Sequence, residues 1–141
     1  MLIRHLWLAS LVVSLIVACG GGQPEGPTEA SLRSQIAAMI RGLKDGDFEK
    51  LYVYTSPAYR EACSEADYLN FMKAVRRAGN PYAEVELEIS NVVITGNEAT
   101  FTQKTKQPGV APQTTDRTLT YVDGRWLDLN DEPQTFYCLD P

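Results

Sequence analysis

In the first half of the chain, apolar residues recur at the spacing of an amphipathic helix. Thr28 is a typical N-cap and Gly46 a typical helix end, so a helix is predicted between them. Its apolar stripe consists of Leu32, Ile36, Met39, Ile40 and Leu43. Further helices are predicted to begin at three capping positions, which are Asp47, Ser56 (followed by Pro57) and Ser64.

After Pro81 the apolar period changes from 3.6 to 2, which is typical of strands. Ala83, Val85, Leu87 and Ile89 alternate with Glu84, Glu86 and Glu88, so this strand should have one buried face and one charged face. The pairs Gly96-Asn97 and Asp123-Gly124 predict the turns of two hairpins, separated by a loop over residues 107–112. Helices followed by an antiparallel meander predict an α+β fold.

The register of the first hairpin predicts a bent strand. A two-residue turn at Gly96-Asn97 pairs Ile94 with Ala99, but the same register extended outward would place Ile89 opposite Lys104. One extra residue near Ser90-Asn91 restores the pairing of Glu88 with Lys104 and keeps each face uniform. We therefore expect a β-bulge there and a sheet that curves around whatever covers its inner face.

Residues 1–18 have the pattern of an export signal, with Arg4 before a short apolar run that ends at Val17. About 18 Å of helix is too short to span a bilayer core of about 30 Å, which favours a signal peptide. Ile16-Val17-Ala18-Cys19 resembles the lipobox of bacterial lipoproteins. That resemblance implies acylation of Cys19 (palmitate among its chains), membrane anchoring and an extracytoplasmic location. An ordinary secretory signal is the alternative.

The expected organisation is thus a signal peptide at 1–18, a lipidated cysteine with a Gly- and Pro-rich tether at 19–27, and one domain at 28–141. With Cys19 taken by the anchor, Cys63 and Cys138 are predicted to form a disulfide in an oxidising compartment, two free thiols being the alternative.

Charge and composition exclude several functions. The 141 residues carry a net charge of −5 and no basic cluster, so nucleic-acid binding is not expected. His5 is the sole histidine and leaves with the signal, which excludes histidine-based catalysis and histidine-ligated metals. No metal or cofactor is expected.

The element order, with Gly46-Asp47-Phe48 and Asp123-Gly124-Arg125-Trp126, resembles the nuclear transport factor 2-like superfamily over about residues 28–130. The resemblance implies a cystatin-like cone in which helices pack on a curved sheet around a pocket. SnoaL-like and ketosteroid-isomerase-like members include isomerases, cyclases and dehydratases, whereas others bind ligands or partners without catalysis, and many dimerise. Fold alone does not choose among these functions.

We therefore expect a tethered, non-catalytic domain that binds a small apolar ligand or an envelope protein. The alternatives are a SnoaL-like enzyme and a dimerising envelope module. In an enzyme, Asp128 would be the base and Tyr121 a hydrogen-bond donor, provided that their face of the second hairpin points inward. The opposite face, with Thr118 and Leu127, is an equally credible inner surface. The candidate pocket residues are Gln103, Thr105, Tyr52 and Tyr68, with Tyr54 and Tyr59 as further tyrosines of the helical layer.

Overall fold

Helices occupy the first half of the described chain and strands the second, an α+β arrangement in which helices pack on a curved, open antiparallel sheet. The computed structural model describes residues 26–129. The predicted signal, Cys19 and Cys138 lie outside this range. The helices are α1 (Glu29–Asp45), α2 (Pro57–Ala62) and α3 (Glu65–Arg77), with 3-10 turns at Phe48–Lys50 and Tyr52–Tyr54. The strands are β1 (Glu86–Thr95), β2 (Glu98–Gln107), β3 (Val110–Val122) and β4 (Arg125–Leu127).

The helix ends follow the capping residues of the sequence. Thr28 and Ser31 form a reciprocal capping box at the start of α1, and Gly46 ends that helix in the left-handed conformation at φ 72°. The side chains of Ser56 and Ser64 cap α2 and α3. Asp47 stands at the N-cap position of a short 3-10 helix, but its side chain makes no capping hydrogen bond and its carboxylate pairs with Lys50 instead.

The four strands lie in the order β1-β2-β3-β4. The predicted β-bulge is confirmed, because the register of β1 against β2 shifts between Ser90 and Val93. Glu88 pairs with Lys104 on one side of the shift, and Ile94 pairs with Ala99 on the other. Asn91 takes a positive φ of 53° at this point, which is a conformation that asparagine tolerates better than most residues.

The predicted loop over residues 107–112 is wrong. Gln107 pairs with Val110, so Pro108-Gly109 is a tight turn and β3 runs on from Val110. Among residues 26–129, strand β4 pairs with residues 120–122 of β3, so the first part of β3 is an edge of the described sheet. Pro112 is tolerated there because an edge strand does not require every N–H to bond. The two prolines in residues 107–112 therefore mark a tight turn and an edge strand and not a loop.

The second hairpin has the expected turn, with positive φ at both Asp123 (49°) and Gly124 (82°), as type I′ requires. Tyr121 pairs with Trp126 as predicted. Leu119, Tyr121 and Trp126 pack in one cluster with Leu32 of α1, so their face of the sheet is the inner one. Leu127, on the opposite face, is also buried, so β4 is covered on both sides.

The buried side chains form two separate clusters. One lies among the helices and contains Phe48, Leu51, Cys63, Tyr68 and Met72. The other joins α1 to the sheet through Leu32, Ala99, Phe101 and Trp126. Between residues 26 and 129, no helix has both the length and the apolar character needed to cross a bilayer.

Candidate functional site

A cavity of about 310 Å³ separates the two core clusters, with walls from α1, the helical layer and the inner face of the sheet. Its size is at the lower end of the range for small-molecule sites. Most of its lining is aliphatic or aromatic: Ile36, Met39, Ile40, Leu43, Leu51, Tyr54, Tyr68, Leu87, Phe101, Leu119 and Trp126. The polar lining residues are Gln35, Thr55, Ser56, Gln103, Arg117 and Asp128. The cavity is therefore an apolar chamber with a small polar part.

Gln35, a residue of the cavity wall, connects helix α1 to strand β4 through two hydrogen bonds. Its amide nitrogen donates to the carbonyl oxygen of Trp126 at 2.6 Å, and its amide oxygen accepts from the Trp126 N–H at 2.8 Å. The Gln35 side chain thus acts as one residue of a further strand beside β4. The Trp126 indole N–H donates to the hydroxyl of Ser31 at 3.0 Å, also from α1. Both contacts fix helix α1 against the sheet.

Arg117 and Asp128 form an ion pair in the cavity wall. The Arg117 guanidinium donates to the Asp128 carboxylate at 2.7 Å, and the side chains are 38% and 20% exposed. Arg117 reaches the cavity because it pairs with Phe101 across β2 and β3, which places it on the inner face. Asp128 follows directly after β4. The candidate base Asp128 therefore lines the cavity, but as the partner of a cation.

The tyrosines of the helical layer differ in their access to the cavity. Tyr54 and Tyr68 line it, and burial raises the pKa of Tyr68 well above its ordinary value. Tyr52 points elsewhere, because its hydroxyl donates to the carbonyl oxygen of Cys63 at 2.6 Å. Burial also raises the pKa of Tyr52. Tyr59 packs edge-on against Tyr68. Two of the four helical tyrosines are therefore placed to touch a ligand.

Of the remaining predicted site residues, one lines the cavity and two do not. Gln103 lines the cavity, and its amide donates to the Thr105 hydroxyl at 3.2 Å. Thr105 is not a lining residue of the cavity. Tyr121 packs against Trp126 with ring centroids 5.1 Å apart and is not a lining residue either. The prediction from the bulge register was therefore right for Gln103, which lines the cavity, and wrong for Thr105, which does not.

Two functional residues were missed from the sequence. Arg117 occupies the same alternating positions as Leu119 and Tyr121, so the strand pattern placed it on their face, but the sequence did not show that this face is the inner one. Gln35 lies one residue before Ile36 of the apolar stripe, where a polar residue is ordinarily solvated. Its bond to the backbone of β4 has no signal in the sequence, because the two segments are 91 positions apart.

Within residues 26–129, no group of three or more His, Cys, Asp or Glu side chains is close enough to hold a metal ion. The arrangement suits binding of a small apolar molecule, with the Arg117–Asp128 pair and the Gln103 amide available for hydrogen bonds. No protein-family model matches this chain, and no curated protein sequence matches it either.

Proposed function

We propose that the protein is a membrane-anchored extracytoplasmic lipoprotein whose domain binds a small apolar ligand in this cavity without catalysing a reaction. The cavity carries the proposal. Its walls are predominantly apolar, and they include residues of both core clusters. Water inside a chamber of about 310 Å³ with apolar walls lies against apolar surface, and an apolar ligand that displaces this water buries that surface.

Mass measurement of retained ligand tests the binding function. The protein is purified from the cells that make it, and native mass spectrometry compares it with Leu119→Trp, which fills the cavity. Val93→Trp is the control, because Val93 is a strand residue that is 58% exposed. We expect an added non-protein mass on the wild type and on Val93→Trp, and none on Leu119→Trp. Circular dichroism verifies that both variants fold. An equal added mass on all three proteins would contradict binding in this cavity.

The anchor is supported by Ile16-Val17-Ala18-Cys19 and by the polar segment that separates Cys19 from helix α1 at Glu29. Cys19→Ser should release the protein from the membrane fraction and abolish labelling by radioactive palmitate. Gly21→Ser, two residues away in the tether, should leave both unchanged. Membrane retention of Cys19→Ser would contradict the proposal.

A Cys63–Cys138 disulfide is part of the same proposal, since it fits an exported chain whose remaining cysteine is acylated. Cys63 is 1% exposed, as is typical of a half-cystine in a small exported domain. Alkylation in denaturant should leave both cysteines unmodified without reductant and modify both after reduction. Modification of either cysteine before reduction would contradict the pairing.

The resemblance to the nuclear transport factor 2-like superfamily supplies a second candidate, a SnoaL-like isomerase, cyclase or dehydratase. The position of Asp128 favours it, since a carboxylate lines the cavity together with the hydroxyl-bearing Tyr54 and Tyr68. Its test is the isomerisation of 3-cyclohexenone to the conjugated 2-cyclohexenone, which is measured by the rise in ultraviolet absorbance. A catalyst would accelerate this reaction, and Asp128→Asn would abolish the acceleration. We expect no acceleration by either protein.

A dimerising envelope module has less support. Its sheet would need an apolar outer face, but on that face Lys106 forms ion pairs with both Glu86 and Glu88. Homodimer formation is measured by sedimentation of the purified protein.

A further inference from the structure

We propose that the cavity selects neutral apolar ligands with one hydrogen-bonding end, such as a medium-chain alcohol, over carboxylates of the same length. This inference rests on the proposed binding function and adds the ligand class. The observation behind it is the state of Arg117. The guanidinium would attract a carboxylate if it were free, but it already donates to Asp128 at 2.7 Å.

The charges of the cavity wall cancel. Among the lining residues that the structure describes, Arg117 and Asp128 are the ones with ionisable charges of opposite sign, and they form a pair. The other polar lining groups are neutral amides and hydroxyls. A carboxylate entering this chamber would lose hydration without gaining a counter-ion of its own, and it would lie near the negative Asp128.

A neutral hydroxyl group on a ligand can, unlike a carboxylate, form hydrogen bonds with both members of the Arg117–Asp128 pair. It can accept a hydrogen bond from the Arg117 guanidinium and donate one to the Asp128 carboxylate, so that both members of the pair remain bonded. The Gln103 amide in the same wall offers a further donor and acceptor. The apolar remainder of the ligand would lie against the aliphatic side chains of α1 and the sheet.

The cavity volume sets the length of the probe. At about 30 Å³ for each water-sized group, a chamber of about 310 Å³ holds on the order of ten non-hydrogen atoms. 1-Nonanol and nonanoate are matched probes of that size. They share one chain length and differ in the charge of the polar end at pH 7.5.

Isothermal titration calorimetry of the purified protein with each probe is the experiment. We expect the wild type to bind 1-nonanol at least about tenfold more tightly than nonanoate, a preference of about 1.4 kcal/mol. Asp128→Asn should reverse the preference, because it leaves the Arg117 cation without its partner. Glu88→Gln is the control, since it removes the same charge and also breaks an ion pair, with Lys106, outside the cavity. It should keep the wild-type preference.

The outcomes separate this inference from the proposed function. Equal or tighter binding of nonanoate by the wild type would overturn the inference and leave ligand binding intact. An unchanged preference in Asp128→Asn would also overturn it. If Asp128→Asn does not fold, Arg117→Gln replaces it, and we expect that variant to bind nonanoate still more weakly than the wild type does. If the wild type binds neither probe, the proposed function is wrong and the inference is wrong with it.

Discussion

Replacing Gln35 with methionine tests what holds helix α1 against the sheet. Methionine has nearly the same length and volume, so the substitution removes the hydrogen bonds and creates little empty space. The Trp126 backbone would lose a partner for both its carbonyl oxygen and its N–H, which Gln35 now contacts at 2.6 and 2.8 Å. Trp126 is 1% exposed, so water cannot easily replace the lost bonds.

The magnitude follows from those two backbone groups. Leaving one buried polar group without a partner costs about 1–3 kcal/mol, so Gln35→Met should destabilise the protein by about 2–6 kcal/mol. A typical domain has about 5–15 kcal/mol of stability, so the loss is a large fraction of the total. Gln35 also lines the cavity, and a weakened contact at Trp126 would loosen one wall of the candidate site.

Urea unfolding followed by tryptophan fluorescence measures this effect, since Trp126 is the one tryptophan among residues 26–129. Gln113→Met is the matched control, because Gln113 is an exposed residue of β3 and should change the free energy of unfolding by less than about 0.5 kcal/mol. A Gln35→Met variant that is as stable as the control would refute the assignment of the two bonds as stabilising contacts.

Two further predictions concern the helix–sheet contact and the buried tyrosine. Ser31→Ala should cost about 1–3 kcal/mol in urea unfolding, because the buried Trp126 indole N–H loses its acceptor and the capping box of α1 loses one member, whereas exposed Ser34→Ala should cost far less. Burial raises the pKa of Tyr68, so between the ordinary tyrosine pKa of about 10 and the raised one only the unfolded chain releases this proton. Stability should therefore fall above about pH 10, by up to about 1.4 kcal/mol for each pH unit, and less steeply in Tyr68→Phe. Equal slopes in wild type and Tyr68→Phe, measured by unfolding at pH 9–11, would contradict this.

Local signals in the sequence predicted the elements well because their causes are local. Thr28 and Gly46 bound α1 through contacts with residues three or four positions away, and Asp123-Gly124 forms its turn through its own backbone angles. The bulge at Ser90–Val93 was also predictable, since the faces of a hairpin with a known turn must match. The prediction of a loop over residues 107–112 was wrong because prolines occur both in loops and in edge strands, so composition does not distinguish the two.

The sequence by itself determined the order of helices and strands, the register of the first hairpin and the inward position of Gln103. Only the tertiary structure decided that Trp126 faces α1, that Gln35 bonds its backbone and that Arg117 neutralises Asp128 inside a cavity. The reason is physical. Both faces of the second hairpin carry apolar residues, so alternation along the strand cannot distinguish them. The packing of α1 on Leu119, Tyr121 and Trp126 makes that choice.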